Sequence, residues 1–165
     1  MIVRDATEED LPDILEIHND AVANTTAIWS VNPVDIDNRR LVLMERRARG
    51  FPFLVVAEGP RVMGYASFGD FRPHDGYFLT VEHSIYVSRH HRRRGIAARL
   101  FPPLIERATS LGKHAMIGGI DAANDASIRL HEAFGFERVG LLPEVGYKFG
   151  RFLDLLFMQK LLGTQ

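Results

Sequence analysis

The chain contains no cysteine among its 165 residues. This absence excludes disulfides, thiolate metal sites and a cysteine nucleophile, and it fits a reducing compartment. An excess of charge of one sign is also lacking, because 20 basic and 21 acidic residues give a formal net charge of −1. No apolar run approaches the ~20 residues of a membrane span, and the N-terminus lacks a signal-peptide core. We therefore expect a cytoplasmic protein that binds neither nucleic acid nor membranes.

The hydrophobic content of 46% and the charged content of 25% are ordinary for a soluble globular protein. The length predicts a single domain spanning residues 1–165, with a sizeable core. Hydrophobic periodicity predicts the order β-α-α-β-β-β-α-β-α-β-β, which is an α/β fold with a central mixed sheet. The predicted strands cover residues 2–5, 53–58, 62–71, 77–87, 114–120, 136–141 and 147–160, and the predicted later helices cover 35–49, about 94–111 and 124–134.

Three local features refine this order. A loop at residues 24–30 follows the first helix and is expected to expose the only tryptophan, Trp29. Pro102 and Pro103 predict a kink or an early break in the third helix, because proline inside a helix costs ~3 kcal/mol. Residues 142–146, which contain a proline and a glycine, are predicted to separate the last two strands.

The chain is organised around residues 81–100. Residues 81–87 are typical of a strand, residues 89–94 are six consecutive basic or imidazole side chains, and a helix follows with Gly95 in its first turn. A helix start presents free N–H groups and a positive dipole end, and glycine lets a ligand approach the backbone. These features predict a phosphate site. A solvated basic turn or a nucleic-acid patch is the alternative, and His90 with His91 makes a poor metal site because no partner carboxylate is nearby.

The motif Arg92-x-x-Gly95-x-Ala97 resembles the pyrophosphate signature of the GNAT N-acetyltransferase superfamily. A second stretch, Asn124-x-x-Ser127-x-x-Leu130-His131-x-x-Phe134-Gly135-Phe136, has the spacing of that superfamily. The segments Phe71-Arg-Pro, Thr80-Val-Glu-His-Ser-Ile-Tyr-Val and Gly146-Tyr-Lys-Phe-Gly-Arg-Phe-Leu-Asp are similar to its phosphinothricin / methionine sulfoximine branch. The resemblance covers nearly the whole chain. It implies the GNAT fold, in which a mostly antiparallel sheet is splayed around acetyl-CoA and flanked by helices.

The resemblance also implies acetyl-CoA as co-substrate, with no metal. The strand edge Ile85, Tyr86 and Val87 would pair with the pantetheine arm and polarise the thioester carbonyl. An ordinary core strand is compatible with that role. Asn124 and Ser127 would bind the pantetheine arm, although Asn124 also fits a helix N-cap. The pyrophosphate would be held by Arg92, Arg93, Arg94, Gly95, Ile96, Ala97 and Ala98.

Two residues are candidates for catalysis. Glu82 is a carboxylate inside an apolar strand, where burial would raise its pKa, and this suits a general base for an ammonium substrate. The resemblance places Glu82 at the base position of the family; the alternatives are a solvent-facing position or a pair with His83. His131 stands where many members have tyrosine as general acid. A histidine can donate a proton, but a structural role on the helix face is equally open.

The resemblance places acceptor binding at Arg72, His74, Trp29 and the strand residues Glu82, His83 and Ser84. An arginine fork matches an α-carboxylate. Trp29, with Thr25 and Thr26, could cover the acceptor. Arg72 could instead be a solvent-exposed turn residue, and Trp29 could belong to the core or to a dimer contact. The family motif also covers Tyr147, Lys148 and Asp154, for which the sequence suggests no mechanism, and which could shape the dimer or the acceptor pocket.

The predicted function is transfer of acetyl from acetyl-CoA to the α-amine of a small amino-acid analogue by direct attack. Phosphinothricin, methionine sulfoximine and methionine sulfone are the acceptors that the resemblance suggests. Alternatives are another amine (a protein N-terminus, a polyamine or an aminoglycoside) or a non-catalytic CoA-binding module. The resemblance implies a homodimer, for which the apolar residues Leu155, Leu156, Phe157 and Met158 could serve as interface or as core.

Overall fold

The computed structural model describes residues 1–163, and its elements follow the predicted order. Three short 3₁₀ turns at Glu8–Asp10, Asp75–Tyr77 and Arg89–His91 lie between them. The helices are α1 (Leu11–Asn24), α2 (Ile36–Ala48), α3 (Ile96–Ser110) and α4 (Asp125–Ala133). The strands are β1 (Ile2–Asp5), β2 (Phe53–Glu58), β3 (Arg61–Asp70), β4 (Thr80–Val87), β5 (Ala115–Asp121), β6 (Glu137–Lys148) and β7 (Arg151–Leu161).

One mixed sheet in the order β1-β2-β3-β4-β5-β7-β6 forms the centre of the fold. Of the strand pairs, only β4 and β5 run parallel within residues 1–163, and their pairing ends at Glu82 opposite Ile117. β4 continues to Val87 beyond that point, while β5 continues to Asp121 paired with β7. The two halves of the sheet therefore part after Glu82. This confirms the predicted fold class.

The helices cover the two faces of the sheet. α3 and α4 bury one core with Leu100, Leu104 and Ile128, and α1 and α2 bury a second core on the other face. Side chains alternate along a strand, so β4 serves both sides. Ile85 packs with the first core and Tyr86 with the second. Glu82 and Ser84 follow the alternation of Tyr86, and His83 follows that of Ile85.

Of the kink or early break predicted for α3, the early break is wrong. The helix continues through Pro102 and Pro103 to Ser110. Its inward residues Leu100, Phe101, Leu104 and Ala108 are fully buried, whereas Pro102 is exposed. Burial of this apolar face outweighs the hydrogen bonds that the prolines cannot make.

The predicted separation of the last two strands is also wrong. Residues 142–146 lie within β6 as a bulge, where the pairing with β7 shifts register. The chain reverses instead at Phe149 and Gly150, whose φ angles of 53° and 75° suit a two-residue hairpin turn. Pro143 is tolerated because β6 is an edge strand, where its missing N–H breaks no ladder.

Three smaller expectations change as well. β4 begins at Thr80 instead of residue 77, because the N–H groups of Tyr77 and Phe78 close a 3₁₀ turn. Trp29 is half-buried, since its ring packs against Gly146. Residues 155–158, predicted as interface or as core, belong to the inner strand β7, and Leu156 and Met158 are buried.

No helix within residues 1–163 is long and apolar enough to cross a membrane.

Candidate active site

A cavity of about 480 Å³ opens where β4 and β5 part. Its volume is in the range of small-ligand sites. The cavity is lined by strand residues from both halves of the sheet and by the first turns of α3 and α4. The predicted site residues in its wall are Glu82, His83, Ser84, Ile85, Tyr86, Val87, Arg92, Ala97, Asn124, Ser127 and His131.

The turn between β4 and α3 has the backbone of an anion site. Arg93 and Gly95 both have positive φ, at 62° and 72°, and Gly95 is the N-cap of α3. Successive N–H groups in such a turn form a concave anion-binding nest at the positive end of the helix. Arg92 and Arg94 are exposed beside it, and Ala98 is half-buried. The backbone therefore fits a phosphate group.

The side chains of this turn differ in how free they are to contact a ligand. Asp20 of α1 lies 3.7 Å from Arg92 and 3.4 Å from Arg89, so a carboxylate already holds part of this basic charge. Ile96 is buried against Gly64, where a Cβ would come within 2.7 Å of it. Ile96 can contribute only its backbone to a ligand.

Beyond Glu82, no strand within residues 1–163 pairs with the edge of β4 that faces β5. The N–H and C=O groups of Ile85 to Val87 on that edge are free to bind an extended ligand such as a pantetheine arm. Across the gap, the Asn124 side chain accepts a hydrogen bond from Ser127 N at 3.1 Å, which confirms its N-cap role. Among the residues that the structure describes, none accepts a hydrogen bond from its amide nitrogen, which is therefore available to the cavity.

Glu82 lies at the point of separation and is half-buried. Burial raises the pKa of its carboxyl, and the positive charge of Arg72 partly opposes that rise. Arg72 itself is exposed; its guanidinium stacks on Phe71 at 4.2 Å and donates to the Phe71 carbonyl. Arg72 and His74 lie outside the cavity wall, on the turn that leads into β4.

His83 and His131 form a buried pair. Their Nε2 atoms are 3.1 Å apart, and their rings stack with centroids 5.0 Å apart between Phe101 and Phe136. The Nδ1 atom of His131 lies 2.7 Å from the Ser127 carbonyl, so it must carry the proton. Burial lowers the pKa of both rings, so His83 Nε2 donates to an unprotonated His131 Nε2.

Both nitrogens of His131 are thus engaged, and the neutral ring offers no proton to a leaving thiolate. The general-acid role of His131 stays a prediction. The two hydrogen bonds of the ring argue against it. The pair depends on Gly118, where a Cβ would meet the two Nε2 atoms at 2.8 and 3.0 Å. Glycine in a strand interior often marks such a close approach.

We expect stability to fall as the pH drops from 7 to 5, because three histidines are held neutral by burial. Burial lowers the pKa of His18 to about 4 and also lowers those of His83 and His131. Unfolded histidine protonates near pH ~6.5. The unfolded chain therefore binds more protons in this window, and the free energy of unfolding decreases as the pH falls.

Urea unfolding at pH 7, 6 and 5 measures the slope of the free energy of unfolding against pH. His83→Gln removes one titrating group and should flatten the slope, whereas the exposed His74→Gln should not. Comparison with wild type cancels the opposite contribution of Glu82, whose raised pKa favours the folded state on acidification. A slope unchanged in His83→Gln would contradict the assignment.

Sequence reasoning missed several residues of the cavity, among them Ala27 and Phe101. Ala27 comes from the loop after α1, beside the expected Thr26, and Phe101 comes from α3. Asp121 ends β5 and accepts a hydrogen bond from the Thr26 hydroxyl at 2.5 Å. The adjacent pair Gly118-Gly119 was the available signal, because glycines in a strand indicate close packing. Within residues 1–163, no three His, Cys, Asp or Glu side chains form a group that could hold a metal ion.

Comparison with known proteins gives consistent matches. The profile of the Acetyltransferase (GNAT) family matches residues 14–136. An L-methionine sulfoximine/L-methionine sulfone acetyltransferase of Pseudomonas paraeruginosa is 51% identical, over 95% of this chain and 92% of that protein. A crystal structure described as ribosomal-protein-alanine N-acetyltransferase from Brucella melitensis is 51% identical with a TM-score of 0.96, covering 98% of this chain and 100% of that one. A phosphinothricin acetyltransferase from Sinorhizobium meliloti, in complex with acetyl-CoA, is 39% identical with a TM-score of 0.94, covering 98% and 88%.

Proposed function

The chain belongs to the acetyltransferase (GNAT) family and is an acyltransferase, and from that premise we propose its acceptor and its site. The acceptor is a small amino-acid analogue of the methionine sulfoximine, methionine sulfone or phosphinothricin type, acetylated on its α-amine. One observation carries the proposal. Glu82, a half-buried carboxylate with a raised pKa, stands where β4 and β5 part, in the cavity that the phosphate turn reaches. The names of the similar acetyltransferases support the choice of acceptor.

The donor, acetyl-CoA, lies in the proposal along the gap between β4 and β5. The N–H groups from Arg93 to Ala98 hold its pyrophosphate at the start of α3. The free edge of Ile85 to Val87 holds the pantetheine arm, and Asn124 reaches it from α4. An N–H of the same edge donates to the thioester carbonyl oxygen, where negative charge develops as the amine attacks.

The acceptor occupies the Glu82 end of the cavity. Arg72 binds its carboxylate, with His74, Ser84 and Trp29 around it. An α-amine arrives mostly as ammonium, so Glu82 takes one proton, directly or through water. The amine nitrogen then forms the C–N bond, the C–S bond breaks, and CoA leaves as the thiolate. The nitrogen loses its second proton to solvent. Because a thiol has a pKa near ~8.5, solvent in turn can protonate the thiolate without a dedicated acid.

A second candidate function is acetylation of a protein N-terminus. The Brucella melitensis structure favours it, since its description names a ribosomal-protein alanine as the acceptor. A peptide would have to lie along the Arg72 turn, which is exposed. Polyamines and aminoglycosides fit less well, because a cation such as Arg72 repels them.

Thiol release from acetyl-CoA tests the acceptor directly. The panel contains methionine sulfoximine, methionine sulfone, phosphinothricin, the ordinary amino acids, a peptide beginning with alanine, spermidine and an aminoglycoside. We expect the highest kcat/KM among the first three. Preference for the peptide would establish the second candidate, and turnover of none, with acetyl-CoA bound, would overturn both.

We also propose a homodimer that buries an apolar surface on the β6–β7 hairpin. Six apolar side chains of this one hairpin are 53–62% exposed, and a concentration of exposed apolar surface marks an interaction site. We expect Tyr147→Glu to shift the mass measured by light scattering from dimer to monomer, and Leu41→Glu on α2 to leave it unchanged. A monomeric wild type would contradict the proposal. The six are Val139, Leu141, Val145, Tyr147, Phe149 and Phe152.

A further inference from the structure

Lys148, the last residue of β6, is a buried cation with no place in the chemistry above. Its side chain is only 2% exposed, and its ammonium donates to the carbonyl of Thr25 at 2.6 Å and to that of Ile28. Within residues 1–163 it has no carboxylate within salt-bridge distance. A buried charge with only neutral partners is costly, and burial lowers the pKa of Lys148. Because burial of this charge is itself unfavourable, the benefit of Lys148 to the protein lies in the segment that it holds in place.

That segment, residues 25–30, is called here the crossing loop. It follows α1, which packs on β3 and β4, yet its anchors lie on the other half of the sheet. The Thr26 hydroxyl donates to Asp121 at the end of β5, and Lys148 of β6 binds two of its carbonyls. The ring of Trp29 packs so closely on Gly146 that a Cβ there would be 2.4 Å away. The crossing loop therefore spans the gap between β4 and β5.

The position of the crossing loop shapes the cavity. Thr26 and Ala27 line the same cavity as Glu82, so a displaced loop would open the wall beside the proposed base. The Trp29 indole donates to the Thr26 carbonyl at 2.9 Å, which makes the loop one connected unit. Release of the Lys148 end would therefore be felt at Thr26.

We propose that Lys148 is a positioning residue for the acceptor: its ammonium holds the crossing loop over the gap, so that Thr26 and Ala27 wall the cavity where the amine meets Glu82. The inference rests on the proposed acetyl transfer. It also gives roles to a motif that the sequence left without mechanism. Tyr147 lies on the exposed apolar surface, Lys148 holds the loop, and Asp154 accepts a hydrogen bond from Glu144 N at 2.8 Å and so fixes the bulge of β6.

Lys148→Met tests the inference, because methionine keeps the apolar stem and loses the donors. We expect the acceptor KM to rise at least about tenfold, which corresponds to ~1.4 kcal/mol, close to the lower end of what a hydrogen bond to a charged group contributes. The Kd of acetyl-CoA should stay within about threefold. Calorimetric titration with acetyl-CoA counts the competent sites, so the kinetic constants refer to folded protein. Lys160→Met, a half-buried lysine on β7 away from the loop, is the matched control.

Trp29 provides a readout that needs no turnover, because it is the only tryptophan. Its emission should shift to longer wavelength in Lys148→Met and stay unchanged in Lys160→Met. Gly146→Ala is a second variant in case Lys148→Met does not fold. It pushes the Trp29 ring while leaving Lys148 in place, and it should raise the acceptor KM in the same way.

The outcomes are distinct. Unchanged acceptor KM and Trp29 emission in both variants would overturn the inference, as would a lower melting temperature with unchanged constants per competent site. An equal rise in the acetyl-CoA Kd would show that the loop serves the donor, and this also overturns it. A wild type that acetylates no acceptor of the panel would defeat the proposed function instead, while the Trp29 emission would still report on Lys148.

Discussion

Glu82→Gln is expected to lower kcat by roughly 10²- to 10⁴-fold, the usual contribution of a general base. Glutamine keeps the size and the hydrogen-bonding capacity of the side chain but cannot take a proton from the ammonium group. Acetyl-CoA binding should change by less than about threefold, because the proposed donor contacts lie on β4 after Glu82 and at the starts of α3 and α4. Steady-state kinetics with methionine sulfoximine and calorimetric titration with acetyl-CoA measure the two effects.

The pH profile distinguishes a base from a merely structural carboxylate. The pKa of Glu82 is raised by burial, so wild-type kcat/KM should fall as the pH drops through a value above the ordinary pKa of glutamate. In Glu82→Gln that inflection disappears, and the deficit shrinks at high pH because the amine is already free. Glu132→Gln, an exposed glutamate of α4 that pairs with Arg138, is the control. Wild-type turnover in Glu82→Gln would remove this residue from the mechanism.

Phe101→Ala should give the largest loss of stability, about 3–5 kcal/mol. Phe101 is fully buried, stacks on Phe134 with centroids 4.8 Å apart, and packs edgewise on His83, His131 and Phe136. Alanine would leave a cavity under the histidine pair, which the surrounding strands and helices cannot close. A loss of this size is a large share of the ~5–15 kcal/mol that a typical domain has.

Urea denaturation of Phe101→Ala at pH 7 measures this loss. Phe78→Ala removes the same atoms from a side chain that is 64% exposed, and it should change the free energy of unfolding by less than about 0.5 kcal/mol. A loss below about 1.5 kcal/mol in Phe101→Ala would mean that the aromatic cluster repacks around the gap. The histidine pair would then be less rigid than its contacts indicate.

The sequence predicts best where strand, turn and helix are neighbours in the chain. β4, the basic turn and the start of α3 lie within twenty consecutive residues, so their type and order follow from local periodicity and from Gly95. Glu82 could be found because a carboxylate in an otherwise apolar strand is unusual, whether or not its burial is known. The family and the enzyme class were predicted from those motifs, and the profile match and the similar acetyltransferases confirm them.

The missed features depend on contacts between distant parts of the chain. Thr26 meets Asp121 across 95 positions, and Lys148 meets the crossing loop across 120 or more, so no local pattern marks them. Taken alone, Pro143 predicts a turn. Because it lies on the edge strand β6, it forms part of a bulge instead. The same holds for Pro102, whose helix survives because the opposite face is buried. Tertiary packing decides such positions.

The bulged edge of β6 has a consequence for aggregation. An unprotected edge strand invites another strand to add, and repeated addition leads to fibres. Here Pro143 offers no N–H, Glu144 has a φ of 57°, and two register shifts bend the strand away from a flat template. Neighbouring molecules can then meet through the apolar face of the hairpin but cannot continue the sheet. In the homodimer proposed above, such contact would end in a closed pair, and the apolar surface would be covered without growth of the sheet into a fibril.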